Sequence, residues 1–141
     1  MVIAVIDGQG GGIGSEIIKK LRDYLPEEIE IIALGTNAIA TASMMRAGAN
    51  KGASGENAIL LTIGNVQLII GTLSIVLANS MMGELTGEMA FAISNCKARK
   101  ILLPLGFENI DLIGAEKEPI PHMILKLVDR VNLIIGSEKK K

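Results

Sequence analysis

Two sets of residues in this chain could do chemistry. The first is the run Asp7-Gly8-Gln9-Gly10-Gly11-Gly12-Ile13-Gly14, in which five of the seven residues from Gly8 to Gly14 are glycine. It follows the apolar, β-branched stretch 2–6 and opens at once into an amphipathic segment. A glycine-rich turn between a strand and a helix offers backbone N–H groups to an anion, so the run predicts a phosphate site. The second set is acidic: Asp7, Glu56 and Glu84 are candidates for Mg2+ ligands or for acid–base work on a small phosphorylated or carboxylated metabolite. Glu56 and Thr86 also sit where helices begin, and residues of these types cap or charge a first turn.

The spacing within the loop narrows the chemistry. Gly8, Gly12, Ile13 and Gly14 match the GxxxGIG pattern of short-chain dehydrogenases, in which glycines permit a tight turn and close approach of backbone to pyrophosphate. No Lys-Ser or Lys-Thr pair follows, which excludes a Walker A loop. A dinucleotide fold usually places a carboxylate after its second strand to hold a ribose. Here Gly35-Thr36-Asn37 stands in that place, and Thr36 and Asn37 are candidates to meet a ribose or a second phosphate. The only tyrosine, Tyr24, has Glu28 rather than lysine four residues on, so the Tyr-xxx-Lys pair of that family is absent. The dehydrogenase reaction of that family is excluded; binding of NAD(P) or another nucleotide is not.

The elements that must position these residues alternate along the chain. After the strand at 2–6, apolar Ile13, Ile17, Ile18, Leu21 and Leu25 recur at helical spacing. Residues 29–34 read as a second strand and 38–47 as a helix. Residues 48–56 read as a small-residue loop in which Ser54 is a candidate cap. For 56–64, helix and strand are both open. Val66 to Ile70 reads as a central strand, 75–82 and 86–97 as helices, and 100–104 as a strand. Ile110 to Ile113 reads as a last strand; its short connection predicts antiparallel pairing with 100–104, because a parallel crossover needs a dozen residues or more. A helix over 120–134 follows. The pattern predicts an α/β fold: a three-layer, Rossmann-like, open and mostly parallel sheet with helices on both faces. One domain is expected over 1–136, with 137–141 a solvated charged tail.

Composition bounds the partners. In 141 residues, 14 basic side chains nearly balance 15 acidic ones, and there are two Phe, one Tyr and no Trp. Neither an electrostatic footprint for nucleic acid nor stacking platforms for bases are present. The single Cys96 excludes a disulfide framework and suits a reducing cytoplasm. Cys96 and the lone His122 read as structural, and no metal site is expected from them. Residues 57–83 carry no charge, but Gly64, Asn65, Gln67, Gly71, Thr72 and Ser74 interrupt them, so buried elements of a soluble fold are expected rather than a membrane span. The pairs Met44-Met45 and Met81-Met82 read as core filler or interface, and the high apolar content suggests a homodimer or larger homo-oligomer.

The stretches from Val5 to Gly14, from Ala33 to Ala38 and from Gly55 to Ile59, with Gly83-Glu84-Leu85-Thr86, together resemble a small bacterial family known only as a domain of unknown function. The resemblance covers nearly the whole chain. It implies a stand-alone cytoplasmic protein of anaerobic bacteria and carries no reaction and no catalytic residues. The functional expectation therefore rests on the loop itself: a nucleotide-like, phosphate-bearing ligand on residues 7–14. The alternatives are an enzyme using Asp7, Glu56 and Glu84, or an oligomeric ligand sensor or scaffold without catalysis.

Overall fold

The structure, a computed structural model, describes residues 1–139. Five strands form one sheet: β1 (Val2–Asp7), β2 (Glu30–Gly35), β3 (Lys51–Ser54), β4 (Leu68–Thr72) and β5 (Arg99–Leu103). Their spatial order is β3-β2-β1-β4-β5, and every pairing is parallel. The chain builds outward from β1 to β3, then returns to the other side of β1 for β4 and β5. The order therefore switches between β1 and β4, where open α/β sheets form a crevice beyond their strand ends.

Five α-helices cover the sheet: α1 (Gly12–Tyr24), α2 (Ala38–Arg46), α3 (Glu56–Thr62), α4 (Gly87–Asn95) and α5 (Ile120–Lys139). Helices α1, α2 and α5 lie over one face and α3 and α4 over the other. Right-handed crossovers require this split, because the direction of travel reverses after β3. The central strand shows how the sequence supports both layers. Ile3 and Val5 of β1 pack beneath α1 and α5, while Ala4 and Ile6 pack beneath α3 and α4. A strand buried on both faces needs no polar alternation, which is why β1 and β4 read as continuous apolar runs. On α5, Met123, Ile124, Leu127, Val128, Val131 and Ile135 form the buried stripe.

Arg22 fastens α1 to the neighbouring loops. Its Nε donates to the Gly48 carbonyl (2.8 Å) and an amino nitrogen to that of Ile29 (2.9 Å). The side-chain oxygen Oδ1 of Asn50 accepts from a further Arg22 nitrogen and from the Ile31 amide.

Five details differ from the sequence reading. Residues 110–113 form no strand, so no antiparallel member joins the sheet. The chain turns away from β5 through Gly106 (φ 81°), and Ile113 is 98% exposed. With no apolar face to bury, alternation there cannot hold a strand. Residues 51–54, expected as loop, are the edge strand β3. Its small side chains are a packing requirement, since a Cβ on Gly52 would meet Thr41 Cγ2 at 2.8 Å and Met45 Sδ at 2.9 Å on α2. The helix expected over 75–82 is instead two 3-10 turns, Leu73–Val76 and Met81–Gly83. Residues 137–139, expected in the tail, continue α5, while 140–141 lie outside the described residues. The open choice over 56–64 resolves as α3 followed by a 3-10 turn at Ile63–Asn65. Ser54 is not its cap: Gly55 takes that position, and the Ser54 hydroxyl donates to Thr41 Oγ1 (2.8 Å). No helix among the described residues is long and apolar enough to cross a membrane.

Candidate functional site

The glycine loop joins β1 to α1 at the switch point, beyond the carboxyl ends of the strands. Its five glycines divide into two groups. Gly8, Gly11 and Gly14 are required by packing. A Cβ on Gly8 would lie 2.5 Å from Thr36 Oγ1 and 2.6 Å from Met81 Sδ, and one on Gly14 would lie 2.6 Å from Met44 Sδ and 2.9 Å from Asp7 Cβ. Gly11, at φ 71°, is the N-cap of α1, and a Cβ there would strike the backbone of Ala40 at 2.7 Å. Gly10 and Gly12 are different. Neither has a positive φ, and an added Cβ would meet nothing within 4 Å. Both are exposed.

The loop's hydrogen bonds show a similar division. The Gly11 amide donates to the Gly8 carbonyl (2.9 Å) and that of Ser15 to Gly11 (2.9 Å). Asp7 staples the two ends of the turn: its Oδ1 accepts from the Gly8 amide and its Oδ2 from the Gly14 amide, each at 2.8 Å. The amides of Gly10, Gly12 and Ile13 have no acceptor among the described residues. These are the groups a helix N-terminus offers to an anion.

Glu84 reaches this loop from the connection between β4 and α4. One oxygen, Oε1, accepts from the Gln9 amide (2.8 Å), the Thr36 hydroxyl (2.6 Å) and Asn37 Nδ2 (2.8 Å). Asn37 also caps α2, its Oδ1 accepting from the Ala40 amide at 2.8 Å, and Nδ2 bridges to the Gln9 carbonyl at 3.0 Å. Thr36 and Asn37 are thus brought to the loop, as the sequence suggested, but in this structure their donors face a carboxylate. Glu56 is held elsewhere, its Oε1 accepting from the hydroxyl of Thr86, the N-cap of α4. Among the described residues no three His, Cys, Asp or Glu side chains are grouped to hold a metal ion. Of the three acidic candidates, Asp7 and Glu84 belong to one site.

Their environments push them apart. Burial holds the Asp7 carboxyl above its ordinary pKa, against the Gly14 and Gly8 amides that favour its charge; the nearby charge of Glu84 raises it further. The Thr36 hydroxyl, then the Gln9 amide and Asn37, hold Glu84 below its ordinary value against partial desolvation. Glu84 is therefore the committed anion and Asp7 the reluctant one.

The chain belongs to the family DUF3842, a domain of unknown function. Its family model matches residues 2–136. Neither a curated protein nor a solved structure matches the chain. For this DUF3842 member, then, the site has to be read from its own geometry.

Part of that geometry was not legible in the sequence. Met81, of a pair read as core filler or interface, is partly buried against the α3/α4 side of the core and lies beside Gly8, while Met82 is 95% exposed. Between them they belong to a strained segment: Asn79 (φ 65°), Met81 (56°), Met82 (56°) and Gly83 (91°) all adopt left-handed backbone. For methionine that conformation is costly and uncommon, and such strain gathers at functional loops. A cleft of about 550 Å3 opens between this segment and residues 106–110, that is, between the connections that follow β4 and β5. A second cleft, of about 420 Å3, lies between β5 and α5, away from the loop. His122 is exposed, and the Cys96 thiol donates to the Ile93 carbonyl (3.2 Å), both outside the site.

Proposed function

We propose that this domain binds a nucleotide or dinucleotide, with its phosphates on the free amides of Gly10, Gly12 and Ile13. The observation that carries this reading is the division among the glycines. Internal packing accounts for Gly8, Gly11 and Gly14, whereas Gly10 and Gly12 border open space in conformations that alanine tolerates. Gly12, the first residue of α1, would gain about 0.5–1 kcal/mol as alanine, and Gly10, in the turn before the helix, is under no packing demand for glycine either. Glycine at both positions makes sense where a bulky anion must approach the backbone. The placement of the loop at the switch point, with the cleft between the connections after β4 and β5 on one side and Thr36, Asn37 and Glu84 on the other, favours a ligand that straddles the loop, as NAD(P) would. Calorimetric titration with AMP, ADP, NAD+ and NADP+ tests the reading. Silence across that panel from folded protein refutes it.

The alternative of an enzyme acting on a small phosphorylated metabolite draws on Asp7, whose desolvated carboxyl is the kind of group that transfers protons. Both of its oxygens are nevertheless occupied by loop amides, which favours the staple over the acid. A sensor that self-associates is the reading favoured by exposed apolar side chains such as Phe91 (68%) and Leu133 (69%). Light scattering with and without AMP distinguishes it, a homodimer or larger species being the expected result. The free thiol of Cys96 suits the reducing cytoplasm in which such a protein would work.

A further inference from the structure

The end of β2 lacks the acidic residue that usually receives a ribose, yet a carboxylate stands there. Glu84, 48 positions beyond Thr36, lies on Thr36 and Asn37, with the Gln9 amide as third donor. We propose that Glu84 is the ribose anchor of this site, accepting the hydroxyls of the nucleotide's ribose and excluding a 2′-phosphate. The inference rests on the nucleotide reading above and names its specificity.

Three features carry it. The first is orientation. All three donors converge on Oε1, so the carboxylate is fixed, while Oε2 takes no hydrogen bond from any described residue and keeps its lone pairs for a ligand. The second is the division of labour in the loop. The amide of Gln9 is used to hold Glu84, and the amides that remain open, those of Gly10, Gly12 and Ile13, lie farther along toward α1. Phosphate and sugar sites are therefore adjacent and separate. The third is charge. An anion held by three donors accepts hydrogen bonds from a diol and repels a phosphate ester. Thr36 and Asn37 become positioning residues, acting on the ribose through Glu84. The carboxylate reaches them because the chain turns back on itself before α4 begins, through left-handed backbone at Asn79, Met81, Met82 and Gly83.

The experiment compares AMP, 2′-deoxy-AMP and adenosine 2′,5′-bisphosphate by calorimetry on the wild type, Glu84→Gln and Thr36→Val, with melting curves to verify folding. The wild type is expected to bind AMP roughly tenfold more tightly than either analogue, the scale of one hydrogen bond to a charged group. In Glu84→Gln the three affinities converge. In Thr36→Val, which keeps the charge but loosens its aim, AMP weakens while discrimination against the bisphosphate persists. Equal wild-type affinity for AMP and 2′-deoxy-AMP overturns the inference and leaves the phosphate site standing. Inorganic pyrophosphate tests that site alone; if it and all three nucleotides fail to bind, both readings fall. Should Glu84→Gln not fold, the wild-type and Thr36→Val ratios still decide.

Discussion

Gly12→Ala separates stability from binding within one methyl group. Gly12 is the first residue of α1, its φ is ordinary, and an added Cβ meets nothing within 4 Å. Alanine at a compatible helical position removes unfolded-state freedom and improves helix propensity, together worth about 0.5–1 kcal/mol. Unfolding entropy of about 2.1 cal/mol/K per residue over 141 residues gives roughly 0.3 kcal/mol per degree, so the melting temperature should rise by about 2–3 °C. The same methyl projects into open space beside the loop. If phosphate occupies that space, affinity for ADP should fall at least about tenfold, a loss of 1.4 kcal/mol or more. Differential scanning calorimetry and titration calorimetry on the same preparation give both numbers. A variant that is stabilised and binds ADP like the wild type would show that the space over Gly12 is not ligand space. A variant that is destabilised would refute the packing argument itself.

Other outcomes follow from the same geometry. Gly8→Ala should lower stability by about 1–3 kcal/mol in urea denaturation, since the short Thr36 side chain cannot retreat far from the new methyl. The two carboxylates predict opposite pH dependences. Asp7 has a folded pKa above its ordinary 3.8, so its contribution is greatest below that value and declines as pH rises through the folded pKa; the stability difference between wild type and Asp7→Asn should widen on going from pH 7 to pH 4. Glu84 has a folded pKa below its ordinary 4.5, so its contribution is present above that value and declines as pH falls through the folded pKa; Glu84→Gln should flatten the acid limb of the stability profile. Met82→Asn should stabilise by about 0.5–1 kcal/mol, because asparagine tolerates left-handed backbone and the exposed methionine gives up little packing. A clear loss in thermal unfolding would mean that Met82 makes a contact its exposure denies.

The layers of the fold were legible because apolar residues mark what is buried. β1, β2, β4 and β5 were found within one or two residues as short apolar runs bounded by turn residues, and α1, α2 and α4 were found as closely. Two misjudged segments lack that signal. β3 has no apolar alternation, and its Gly52 serves α2, which lies against it; from the sequence alone, a small residue demanded by a neighbour looks the same as a small residue of a loop. Ile110–Ile113 has the alternation without a layer to receive it, so an apolar pattern suggested a strand where there was nothing to pair with or bury. Local pattern is decisive only where a second element closes over it.

The site obeys the same rule at longer range. The loop was visible because its five glycines fall within seven consecutive residues, but their division into three packing glycines and two open ones depends on Thr36, Ala40, Met44 and Met81, all distant in sequence. The acidic anchor was judged missing because it was sought after β2. The carboxylate that stands there comes from the far side of the switch point, where the chain after β4 folds back over the loop in a conformation that Met81 and Met82 do not advertise. A carboxylate carried on that segment stays on Thr36 and Asn37 only while Asn79–Gly83 keeps its left-handed turn. The strain in the turn and the anchoring of Glu84 are therefore coupled. A substitution such as Met82→Asn that relaxes the first should strengthen the second, and its signature would be a tighter AMP complex in a protein that is also more stable. Weaker AMP binding in a stabilised Met82→Asn would uncouple the two and leave the strain without a role in holding Glu84.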